Sequence, residues 1–193
     1  MARNRVRAQR DVVDRCRALQ DDVRAALRRL EADGAHPDVM DGLWRAEALG
    51  TLLWTLQLQA LPPYDKPFQT QEMAGASLDG PELRPADELE AEREAARLWH
   101  WRARTSELAA ASIELPPGYA TVDQVVAATA MRGYEQGALP SPVRGDFPAF
   151  GKVYRQLSPV ERAEAHSIAL ERHRALNWVC GLGESWNDVP LDT

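Results

Sequence analysis

Glu47, Lys152, Tyr154, Arg172, Arg174, Asn177, Asp188 and Asp192 could supply a proton donor, a base or a fixed charge, and Trp178 and Trp186 could wall them in. Gathered in one cleft, such groups could run acid–base chemistry in a small hydrolase or transferase, or could hold a polar ligand. The same set also reads as a buried ion-pair and capping network that ties a core helix to the tail of the chain. The structural reading is the stronger, because no spacing among these residues selects a reaction. No catalytic residue is assigned from the sequence.

Other chemistries find less support. His166 and His173 lie about 10 Å apart along one helix, too far to share a metal ion. His36 and His100 fall in other segments, and no H-x-x-x-H or E-x-x-H pair occurs, so neither a metal nor another cofactor is expected. The serines sit in caps and loops rather than in a G-x-S-x-G turn. Cys180 falls at a helix C-terminus, where the dipole raises a thiol pKa. The "GLG" of Gly181–Gly183 follows a helix instead of preceding one, so it reads as a helix stop and not a phosphate cradle.

These residues must be positioned by helices. Val12, Cys16, Leu19, Val23, Ala26 and Leu30 repeat at spacings of three and four, which predicts an amphipathic helix over 1–33 that stops at "ADGAHP". From Pro37 to about Ala60 the apolar residues run nearly all round, so this second helix belongs in the middle of the core. Glu47 on it must be buried and paired, with Arg172 or Arg174 as the expected partner. Leu61 to Pro85 is a Pro- and Gly-rich connector. A third helix is predicted from near Pro85 to about Ile113, with one of Trp99 and Trp101 facing the core and the other under a loop. Thr121 with Gln124 matches a capping box for a further helix. Gly137 to Lys152 reads as an irregular loop packed down by Phe147 and Phe150.

The last helix carries the best start signal: Ser158 as N-cap, Pro159 as first helical residue and Glu161 as reciprocal partner. It runs to Cys180, with Gly181 as a left-handed stop. The tail "SWNDVPLDT" then folds back as a lid on the core. Trp186 is expected to be mostly buried, and Asp188, Asp192 and the terminal carboxylate are expected to meet arginines among Arg97, Arg102, Arg104, Arg172 and Arg174.

The whole is an all-α fold, one irregular domain over 1–193 of about five to six helices with the C-terminal tail packed on the core. At 193 residues the chain needs no disulfide to fold, and Cys16 and Cys180 read as small buried hydrophobes. The net charge of −6 argues against a nucleic-acid partner, and only Arg3, Arg5, Arg7 and Arg10 at the start offer a local grip on phosphate. Only two of the 23 basic residues are lysines, a bias typical of a GC-rich, bacterial genome. No signal peptide is visible and no run is apolar enough to span a membrane, so the cytoplasm is the expected location.

"FPAFGKVYRQLSPVE" (147–161), "SIALERHRALNWVCG" (167–181) and "WNDVPLDT" (186–193) resemble the C-terminal half of the bacterial family called domain of unknown function 4272. "WRAEALGTLLWTLQL" (44–58) and "LRPADELEAEREAARLWHWRAR" (83–104) resemble its earlier blocks, so the family-like body spans 37–193. Asn187 stands where the family pattern has Asp, and Leu191 where it has Thr. The resemblance implies a helical single domain and no particular activity. The function expected from the whole reading is a protein–protein interaction or accessory module without catalysis. A homo-oligomer is compatible with it. The alternative is a small enzyme using the neighbourhood of Glu47, Arg172, Arg174 and Lys152.

Overall fold

The computed structural model describes residues 5–108 and 115–192. Among them are six α-helices: α1 (Gln9–Asp33), α2 (Pro37–Thr55), α3 (Thr70–Gly75), α4 (Ala86–Leu108), α5 (Val122–Glu135) and α6 (Pro159–Val179). The only sheet among the described residues is a hairpin of β1 (Pro148–Ala149) and β2 (Lys152–Val153), in the loop before α6. The fold is all-α. Arg3, the terminal carboxylate and the helix end expected near Ile113 lie outside the described residues.

Helix α6 is the hub, packed on α2 and on α4, while α1 covers α2. Two apolar clusters result. The first joins Val12, Cys16 and Leu19 of α1 to Leu49, Leu52 and Leu53 of α2, and takes in Val179, Cys180 and Val189. The second joins Trp99 of α4 to Phe147, Tyr154, Ile168 and Leu176. Both cysteines are unpaired and buried, and burial pushes each thiol up to about 12. Of the paired tryptophans on α4, Trp99 is buried and Trp101 is half-buried.

The helix ends explain themselves locally. Ser158 and Glu161 form the reciprocal capping box at the start of α6. At its end the Leu182 amide donates to the Asn177 carbonyl at 2.9 Å while Gly181 takes φ +80°. A Cβ on Gly181 would lie 2.5 Å from the Arg5 carbonyl oxygen, so glycine here also admits the N-terminal strand of chain. The end of α2 differs from the prediction of Ala60. The helix stops at Thr55 because Gln57 adopts φ +59°, letting the Leu58 amide reach the Leu53 carbonyl at 2.9 Å. That is the same stop built without glycine. At α5, Thr121 caps Gln124 as expected, but the Gln124 side chain returns to the Ala120 amide rather than to Thr121.

No helix among the described residues is long and apolar enough to cross a membrane.

Candidate functional site

Glu47 and Arg172 meet in the middle of the fold, 1% and 0% exposed. Arg172 Nε donates to Glu47 Oε2 at 3.0 Å. Its two Nη atoms donate to loop carbonyls, Nη1 to Pro62 at 2.6 Å and Pro63 at 3.3 Å, and Nη2 to Lys66 at 2.9 Å. Glu47 Oε1 accepts the Phe68 amide at 2.6 Å. The guanidinium lies over Tyr64 and Phe68, 4.9 Å and 5.2 Å from their ring centres. Burial pushes the Glu47 carboxyl above the usual carboxylate range, and Arg172 and the Phe68 amide pull it back. The connector between α2 and α3 is thereby wound around one arginine. Gly50 on α2 makes room for it: a Cβ there would lie 2.5 Å from the Phe68 ring.

The outer side of this loop forms one wall of a cleft of about 570 Å³, within the range of small-molecule sites. Tyr64 stacks on Trp99 with ring centres 5.4 Å apart and planes 7° from parallel. Its hydroxyl donates to Glu92 Oε1 at 2.9 Å. Burial, reinforced by the Glu92 charge, holds the Tyr64 phenol well above its ordinary pKa. Burial also raises Glu92, against the pull of the Tyr64 hydroxyl and Arg172. Asp65, Lys66, Pro140, Pro148 and Ala149 line the remainder.

The other candidate residues scatter into separate bonds. Lys152 Nζ pairs with Glu161 at 2.7 Å on the surface, and that bond helps hold the Glu161 carboxyl down to about 2. Arg174 pairs with Glu171 at 2.6 Å, one turn from its own position. Tyr154 is buried under Arg102, 4.4 Å from its ring centre, and burial pushes its phenol up to about 12. Asn177 Nδ2 donates to the Pro190 carbonyl at 2.8 Å. Trp178 meets Trp186 edge to face at 5.6 Å. Asp188 accepts the Ser185 hydroxyl at 2.6 Å, and Asp192 is exposed.

The tail does fold back, but not as the sequence implied. Trp186 is only half-buried: its ring packs on the edge of the first apolar cluster, with Arg15 stacked 5.0 Å over its outer face. Four of the five expected arginines are engaged elsewhere, Arg97 with Glu94, Arg102 with Asp146, Arg172 with Glu47 and Arg174 with Glu171, and Arg104 is exposed. Arg7 does the work instead, donating to the carbonyls of Trp178 at 2.8 Å and Gly183 at 2.7 Å.

Two buried networks were missed from the sequence. Arg102 clamps Asp146 with two bonds of 2.8 and 3.0 Å, and Asp146 also accepts the Phe147 and Arg155 amides. Burial works against the Asp146 carboxylate, but Arg102 and these amides outweigh it and hold its pKa below the usual value. The second network is a relay. His100 Nδ1 and His173 Nδ1 lie 3.0 Å apart, and His173 Nε2 lies 2.9 Å from Asn177 Nδ2. Because Pro190 orients the Asn177 amide as a donor, His173 Nε2 must accept and its Nδ1 must carry the proton toward His100. Both rings are therefore neutral. Burial lowers His100 to about 3 and His173 to about 4. His166 stacks beside His100 at 5.7 Å. Among the described residues no group of three or more metal-ligating side chains is placed to hold an ion. Their sequence signal was limited to polar residues at core positions of two helices, His100 and Arg102 on α4 and His173 and Asn177 on α6, while Asp146 in its loop carried none.

Compared with models of protein families, with curated proteins and with solved structures, the chain finds no match.

Proposed function

We propose that this protein is a cytoplasmic bacterial interaction or accessory module that binds another protein and performs no catalysis, related to the domain of unknown function 4272 family. The observation that carries the reading is on α5. Met131 and Tyr134 are each 48% exposed, three residues apart and hence on one helix face, while only Val126, Ala130 and Gly133 of that helix are buried. Single exposed apolar residues are ordinary, but two large neighbours on one face offer adjoining apolar surface for a partner to pack against. The fate of the polar cluster also supports it. Arg172, Arg174 and Lys152 do not line the cleft beside Tyr64, and Glu47 lines a smaller one of about 280 Å³ with both oxygens already bonded.

The test is photo-crosslinking from a position on α5 in the native host, alongside light scattering of the purified chain. A defined crosslinked protein, or a second copy of this chain, that is lost in Met131→Glu/Tyr134→Glu with unchanged helicity supports the reading. A monodisperse monomer with no crosslinked product in either form removes it.

A further inference from the structure

We propose that the cleft between α4 and the loop carrying the hairpin binds a small organic ammonium ion, with the uncovered oxygen of Glu92 as its counter-charge and Ala95, Pro140, Pro148 and Ala149 covering its carbon body. The carboxylate is the starting point. Glu92 lines the cleft, and its Oε1 accepts the Tyr64 hydroxyl at 2.9 Å, whereas its Oε2 has no partner among the described residues. A half-used carboxylate beside an apolar surface is a poor arrangement for stability alone, since the unbonded oxygen has lost part of its water. It is a good arrangement for a charged donor, because a charge-assisted hydrogen bond strengthens where water is scarce.

The sign of the ligand follows from the other charges. The cleft is lined by two acids, Asp65 and Glu92, and one base, Lys66. Asp65 spends one oxygen on the Phe150 amide at 2.8 Å. The Lys66 side chain is on the exposed rim, and the nearest buried cation, Arg172, lies behind the Tyr64 ring and belongs to Glu47. An anion would meet Glu92 and Asp65 with only a rim lysine to offset them. A bare metal ion would find too few oxygens, since hard cations take six or more. An ammonium group needs one or two good acceptors and brings its own apolar body.

The site is also held ready. Tyr64 fixes the Glu92 carboxylate, stacking on Trp99 fixes Tyr64, and Arg172 with its three loop carbonyls fixes the backbone on both sides of Tyr64. Little order must be gained on binding, which favours even a small ligand. The proposal stands whether or not a protein partner engages α5.

The experiment is calorimetric titration of the full chain with benzylammonium chloride, with benzyl alcohol as the neutral match and Nα-acetyl-lysine methylamide as a mimic of a protein side chain. Saturable binding of benzylammonium, at least tenfold weaker for the alcohol and at least tenfold weaker in Glu92→Gln, is the expected result. Glu92→Gln keeps an acceptor for Tyr64, so its melting temperature is expected to match the wild type. Should that variant fail to fold, the amine-to-alcohol ratio on the wild-type chain decides alone. No saturation by the amine, or equal binding of amine and alcohol, overturns the proposal. Tighter binding of the lysine mimic than of benzylammonium overturns the small-molecule assignment in favour of a partner's side chain.

Discussion

Two stretches outside the α-helices, the connector after α2 and the tail after α6, are both held by side chains from α6, one by a charged group and the other by a neutral one. Arg172 gathers the carbonyls of Pro62, Pro63 and Lys66 and needs Glu47 beside it, because a lone charge cannot be buried. Asn177, about one and a half turns further on, takes the Pro190 carbonyl and is backed by two neutral imidazoles. Arg7 then binds the same tail from the surface, where water screens it and no carboxylate is required. The lesson is that irregular chain can be fastened by full charge or by neutral dipoles, and the two choices should fail under different insults.

The charged knot should be the most sensitive to mutation. Glu47→Ala leaves Arg172 buried and unpaired and should cost about 3–5 kcal/mol, read from urea midpoints. A cost near zero would mean that the loop carbonyls alone satisfy the guanidinium, and the contrast with the tail would vanish.

The neutral relay should be the more sensitive to acid. With His100 lowered to about 3 and His173 to about 4, the unfolded chain takes protons first as pH falls from the ordinary histidine value of about 6.5. Its contribution is therefore full above that pH and is lost as pH falls toward the folded values. Between pH 7 and 4.5 the loss should be on the order of 2.5 kcal/mol per ring. Glu47, Glu92 and Glu171, whose pKa values are raised by burial, act in the opposite sense. The histidine share is thus the difference in pH slope between the wild type and His100→Gln/His173→Gln. Identical slopes would break the assignment of a neutral relay.

Within the tail, Trp186→Ala should cost about 2 kcal/mol, roughly half the loss at a fully buried aromatic, since the ring is only half-buried. A loss as large as that of Glu47→Ala in the same urea series would make the tail part of the core. The smallest effect is expected at Ser158→Ala, about 1 kcal/mol, from loss of the bond its hydroxyl accepts from the Glu161 amide at 3.2 Å. It lies in neither fastening, and it bears on the pH slope only through Glu161, whose carboxyl the same cap helps hold down.

The comparison also marks how far the candidate site was legible. That Glu47 is buried followed from its place on a helix apolar all round, but the choice of Arg172 over Arg174 did not. Both arginines lie near the core stripes of α6, and only packing turns one toward α2 and the other back to Glu171. Lys152 and Tyr154 were grouped in one cluster on their chemistry alone. They point apart, one to Glu161 at the surface and one beneath Arg102. Glu92 and Tyr64 were not singled out, since a glutamate in a charged helix and a tyrosine in a proline-rich loop carry no spacing signal.

What the amino-acid sequence determined by itself was local. The Ser158–Glu161 cap, the Gly181 stop and the amphipathic face of α1 are read within one or two turns, where 3.6 residues per turn make neighbours predictable. The stop at Gln57 already escaped it, because a residue other than glycine was driven to positive φ by packing and by the Leu58-to-Leu53 bond. The choice of partner at each of these sites was tertiary. Glu47 and Arg172 are 125 positions apart, His100 and His173 are 73 apart, and Arg7 reaches a carbonyl 176 positions away. Pairings over such distances leave no periodic trace in the chain, and they are settled only when helices packing on shared apolar faces bring particular polar groups out of water together.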